Sequence, residues 1–109
     1  MNALILLLLA IISEVIGTSA LRASEGFTKT WPTLLVVAGY GVAFYLLSLT
    51  LKQIPIGSAY AIWAGVGTAL VAMVGVVLYR DPFNLWQGLG IALIVGGVVL
   101  LNLFGSAHA

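Results

Sequence analysis

The chain has no cysteine, one histidine, three prolines and very little charge: four Lys/Arg and three Asp/Glu in 109 residues. The missing cysteine excludes a secreted disulfide scaffold. Charged residues are 6% of the chain, against about 25% in a soluble domain, so a water-facing surface cannot be covered. A soluble enzyme is excluded on that ground. A net charge of +1 leaves no basic face for nucleic acid. What is present is apolar: 62% hydrophobic residues and a mean hydropathy of +1.21. That excludes disorder and leaves an integral membrane protein made almost entirely of spans. No cofactor and no metal are expected.

A spanning helix needs about 20 mostly apolar residues. Four stretches meet this, at residues 3–21, 31–51, 58–79 and 85–104. They predict an all-α fold, one four-helix transmembrane domain over 1–109. The connectors carry breakers: Ser24-Glu25-Gly26, then Pro55, then Asp81-Pro82. All the charges except Glu14 lie in these connectors. The apolar runs lack the alternation of barrel strands, and a helix satisfies its own backbone in lipid. A cleaved signal peptide is not expected, because the first run lacks a basic n-region and contains Glu14.

An even number of spans puts both termini on one side. The first and third connectors hold Arg22, Lys29 and Arg80, and the second holds Lys52. This bias weakly favours a cytoplasmic first and third connector. So weak a bias permits insertion in both orientations.

Four such helices enclose little space, yet Glu14, Tyr40, Tyr60, Trp63 and Asn102 place polar atoms at membrane depth. Such groups face protein or a water-filled cavity, and a second copy would complete the wall. Gly90 and Gly97, two turns apart on the fourth helix, suit close helix approach. The same pattern also fits the general abundance of glycine in membrane helices.

Glu14 is the most informative residue. An ionisable side chain inside a span costs a few kcal/mol on insertion scales. A carboxyl at that depth can hold a proton or release it. Once ionised, it is the only acidic counter-charge within the spans. A lipophilic cation can then replace the proton, which is the minimum chemistry of exchange. The alternative is a structural, protonated glutamate bonded locally, with Ser13, Thr18 or Ser19 as partners. Its helix face also carries Leu7, Ala10, Gly17, Thr18 and Leu21. That face either borders a cavity or packs against a helix.

Tyr60 and Trp63 share a face of the third helix. An aromatic face attracts cations, while the interfacial belt is the other reading. The belt suits Trp31, Tyr79 and Trp86 at span ends and suits mid-helix Tyr40 poorly. Gly65 and Gly67, in Trp63-Ala-Gly65-Val-Gly67, mark either a hinge or a site of close packing.

These segments, taken together, resemble the small multidrug resistance family: Glu14-Val-Ile-Gly-Thr18, Ser24-Glu25-Gly26-Phe27-Thr28, Trp31-Pro32, Tyr60-Ala-Ile-Trp63-Ala-Gly65-Val-Gly67, the Gly90/Gly97 spacing and Asn102. The likeness covers nearly the whole chain and is strongest to the exporters of quaternary ammonium compounds. It implies an antiparallel, dual-topology homodimer in the bacterial inner membrane. It implies export of aromatic organic cations driven by proton entry, with no bond made or broken. By matching position, Glu14 is the shared proton and substrate carboxylate. Trp63 is the aromatic contact, and Tyr60 and Tyr40 line the site. Gly65 and Gly67 belong to the kink, and Gly90 and Gly97 to the dimer face.

Three positions depart from the family pattern. Ala64 replaces a common Ser or Thr, Ala43 replaces a small polar residue, and Arg80-Asp81-Pro82 replaces a glycine-containing turn. The first two bear on substrate preference and the third on loop geometry. Two other functions remain: a guanidinium exporter of the same family, or a structural subunit of a membrane complex.

Overall fold

The computed structural model describes residues 2–104, with side chains from Asn2 to Leu101. Four helices are present among the described residues: α1 (Ala3–Ala23), α2 (Thr30–Thr50), α3 (Ile56–Tyr79) and α4 (Leu85–Phe104). Their ends lie within two residues of the expected spans. Residues through Thr50 form one compact unit and those from Leu51 onward a second. Each unit is a helical hairpin, α1 with α2 and α3 with α4.

The first three helices are long and apolar enough to cross a membrane, and the stretch Leu85–Leu101 of α4 is shorter. Large apolar side chains cover the outside, including Trp31, Val37, Ile56, Leu85, Trp86 and Leu93. In water such a surface would drive association. In a bilayer the lipid tails are its solvent. The chain is a multi-pass membrane protein.

Local chemistry explains most of the helix ends. Asn2 caps α1 by accepting from the Leu4 N–H at 2.7 Å. Pro32 lies in the first turn of α2, where its missing N–H costs nothing. Pro55 precedes α3. Arg80 ends that helix in the left-handed region, φ 56°. Asn84 and Gln87 cap α4 reciprocally, each side chain accepting from the other's backbone N–H at 3.0 Å.

One charge is displaced from its expected place. α1 continues past Leu21 to Ala23, so Arg22 lies in its last turn, where a cation complements the helix dipole. The following turn is tight. Glu25, Gly26 and Phe27 all have positive φ, at 48°, 75° and 67°. Two of these are not glycine, so the conformation is costly unless its surroundings hold it. Ser24 holds it. The buried Ser24 hydroxyl donates to the Leu21 carbonyl at 2.7 Å and accepts from the Phe27 N–H at 3.1 Å. The Ser24 carbonyl accepts from the N–H groups of Thr28 and Lys29. The Glu25–Lys29 ion pair at 3.1 Å is exposed and contributes little.

Ser24→Ala therefore leaves the Phe27 N–H without its partner. The expected loss is about 1–2 kcal/mol, read as an earlier unfolding transition of the purified protein in detergent. An unchanged transition would contradict the role given to Ser24.

Candidate functional site

The N-terminal unit is built on a backbone contact between α1 and α2. The buried positions of α2 are Val36, Gly39, Ala43 and Thr50, which form one stripe along the helix. On α1 the buried face includes Leu7, Ala10, Ile11 and Gly17. At the crossing, a Cβ added to Gly39 would lie 2.8 Å from the Ser13 carbonyl oxygen and 2.9 Å from the Gly17 Cα. A Cβ on Gly17 would lie 3.3 Å from the Tyr40 ring. The bare backbones of Gly17 and Gly39 thus allow an approach that no larger residue permits at Gly39.

That approach brings three polar side chains together. The Thr18 hydroxyl donates to Glu14 Oε1 at 2.8 Å. Thr18 Oγ1 lies 2.6 Å from the Tyr40 hydroxyl. All three residues are half-buried. A helix rises 1.5 Å per residue, so Glu14 sits roughly 14 Å from the last residue of α1 and roughly 16 Å from the first. The longer α1 places it deeper than the expected span did. Tyr40 is centred in α2, and its ring stacks on Phe44 with centroids 6.4 Å apart and planes at 23°.

The expected residues fall into two groups. Glu14, Thr18, Tyr40 and Gly17 meet at the α1–α2 crossing. Leu7 and Ala10, on the same face of α1, are fully covered. Of the local partners considered for Glu14, Thr18 bonds it, while Ser19 donates to the Val15 carbonyl at 2.7 Å. Tyr60 and Trp63 lie in the C-terminal unit, within the first two turns of α3. Tyr60 is 70% exposed and Trp63 is half-buried. A residue open to this degree is available to something outside its own hairpin.

The glycines of the C-terminal unit divide by use. α3 is a continuous helix through Gly65 and Gly67, both buried. A Cβ on Gly65 would meet Val98 Cγ2 of α4 at 2.6 Å, so Gly65 is at least a packing site. Among the described residues, nothing lies within 4 Å of a Cβ placed on Gly90, Gly96 or Gly97; Gly90 is half-buried beside the cavity between α3 and α4, and Gly96 and Gly97 are exposed. Asn102 lies in α4, but its side chain is outside the described residues. Ala64 is half-buried beside Trp63, and Ala43 is fully buried on the stripe that carries Gly39.

Two features were not found from the residues alone. Gly39 gave no signal beyond a glycine next to a mid-helix tyrosine. The link from Tyr40 to Thr18 joins two helices, and no spacing within one helix announces it.

The comparisons agree with this architecture. The sequence profile described as Small Multidrug Resistance protein matches residues 2–94. The quaternary ammonium compound-resistance protein QacE of Escherichia coli is 49% identical over 109 residues, covering 100% of this chain and 99% of that protein. QacF of Klebsiella aerogenes, also a quaternary ammonium compound-resistance protein, is 50% identical over 96% of each chain. The multidrug resistance protein EbrB of Bacillus subtilis is 49% identical, covering 100% of this chain and 92% of that protein. Full-length similarity at this level, over a chain of apolar helices, fixes the assignment: the chain belongs to the small multidrug resistance family.

Proposed function

We propose that the chain is a proton-coupled antiporter that exports lipophilic and aromatic organic cations of the quaternary ammonium type. Glu14 is the shared site for proton and cation. The observation that carries this reading is a carboxyl at the centre of an apolar helix, with a hydroxyl donor already placed on it. In a span, an ionisable group is a functional candidate by default. The names of the relatives supply the substrate class.

The mechanism follows from exclusive occupancy. With Glu14 ionised, the carboxylate attracts a cation, and the low dielectric strengthens the attraction. Binding a proton removes that charge, and the cation leaves. A site that faces one side of the membrane and then the other exchanges cation for proton. Trp63 supplies an aromatic face for the cation, and Tyr60 and Tyr40 line the path. Leu7, Ala10, Gly17 and Thr18 form the wall around Glu14. Gly65 and Gly67 serve as the hinge of α3.

The working unit is a homodimer, antiparallel, in the bacterial inner membrane. Support comes from Gly97, exposed on α4 with room for a Cβ, and from the exposed Tyr60. Small residues on a lipid-facing helix favour close association.

Glu14→Gln keeps the carbonyl acceptor but cannot ionise. In proteoliposomes with an imposed proton gradient, it is expected to lose tetraphenylphosphonium transport entirely. Retained gradient-driven transport would contradict the mechanism. Transport of guanidinium with none of tetraphenylphosphonium in the unmutated protein would instead indicate the guanidinium exporters.

Trp63→Ala removes the aromatic face. Tetraphenylphosphonium binding is expected to fall about tenfold, more than that of tetramethylammonium, for a desolvated cation–π contact of about 1–2 kcal/mol. Equal losses for both cations would make Trp63 a packing residue.

A further inference from the structure

Tyr40 is joined to Glu14 through Thr18. Thr18 carries one hydroxyl proton and stands between the two, 2.8 Å from Glu14 Oε1 and 2.6 Å from the Tyr40 hydroxyl. An ionised carboxylate only accepts hydrogen bonds. The Thr18 proton then goes to Glu14, and Tyr40 donates its own proton to Thr18. A protonated Glu14 is able to donate to Thr18, whose proton is then free to turn to Tyr40. The chain of three groups can run either way, and the proton on Glu14 selects the direction.

We propose that Tyr40 acts on Glu14 through Thr18, and that Gly39 is the positioning residue that holds this hydrogen-bond chain closed. The proposal rests on the reading of Glu14 as the proton and cation site. It assigns Tyr40 a second task besides lining the site.

The geometry at Gly39 carries the argument. The atoms that would meet a Cβ there are the Ser13 carbonyl oxygen, the Gly17 Cα and the Gly17 nitrogen, at 2.8, 2.9 and 2.9 Å. All are backbone, so none can swing aside. Only separation of α1 from α2 relieves them. Tyr40 is the next residue, so the same separation draws its hydroxyl away from Thr18. A hydrogen bond at 2.6 Å tolerates about 0.5 Å of opening and fails near 1 Å. Alanine at position 39 therefore weakens the chain, and the bulkier valine breaks it.

Among the described residues of the N-terminal unit, few other groups compete. Tyr40 and Tyr45 are the titratable side chains of α2, and Tyr45 is exposed on another side. α1 adds Arg22, about 12 Å along the helix from Glu14. In the connector, Glu25 and Lys29 pair with each other at the surface.

The test follows the Tyr40 ring carbon that bears the hydroxyl by NMR, on protein labelled with carbon-13 tyrosine. The Glu14 carboxyl carbon is followed alongside across neutral and acidic pH. The expected result is that the Tyr40 signal changes in step with the Glu14 transition. The coupling should vanish in Thr18→Val and Gly39→Val, weaken in Gly39→Ala and survive in Thr18→Ser. In parallel, Tyr40→Phe should weaken tetraphenylphosphonium binding about three- to tenfold. In the Thr18→Val background the same substitution should cost nothing further.

A Tyr40 signal that ignores Glu14, one that still follows it in Thr18→Val, or additive binding losses would each overturn the proposal. Should Gly39→Val fail to fold, the Thr18→Val and Thr18→Ser pair decides the matter. Unchanged cation binding in Glu14→Gln would instead refute the exchange site, while the NMR coupling would stand or fall by itself.

Discussion

At one level in the N-terminal hairpin, α1 and α2 meet backbone to backbone, and the polar centre of that hairpin depends on the contact. Lipid provides no hydrophobic drive for two apolar helices to associate, so their packing rests on close approach and on hydrogen bonds across it. Gly17 and Gly39 supply the approach. The Tyr40 ring lies where a Cβ on Gly17 would crowd it, and it stacks on Phe44. With the ring so placed, the Tyr40 hydroxyl reaches Thr18, and Thr18 reaches Glu14. A polar group left alone at that depth would be expensive. Here each hydroxyl has a partner, so the carboxyl sits within an organised set.

The C-terminal hairpin uses glycine differently. Gly65 makes room for Val98 within the hairpin, whereas Gly90, Gly96 and Gly97 face open space. The first is an internal packing device. Of the others, Gly90 borders the cavity between α3 and α4, while Gly96 and Gly97 are exposed.

The four helices were legible because lipid imposes a simple rule: about 20 apolar residues for each crossing. Glu14 was legible for the same reason, as the only charge inside an expected span. Thr18 was within reach because residues four apart share a helix face. Gly39 was not, since its importance lies in what α1 places opposite it, and periodicity along α2 contains no such information. Arg22 was assigned to a connector because a charge looks like the end of a span. The helix instead continues and puts that charge in its last turn. The hold of Ser24 on three consecutive positive-φ residues was equally hidden, since two of those residues are not glycine.

The account turns on one carboxyl that accepts either a proton or a cation. The most direct test is to count protons released when tetraphenylphosphonium binds the purified protein. Calorimetry in two buffers of different ionisation enthalpy, from acidic to basic pH, gives that count. The account predicts proton release that is largest at acidic pH, fades as pH rises and is absent in Glu14→Gln. Cation binding with no proton release at any pH would contradict it.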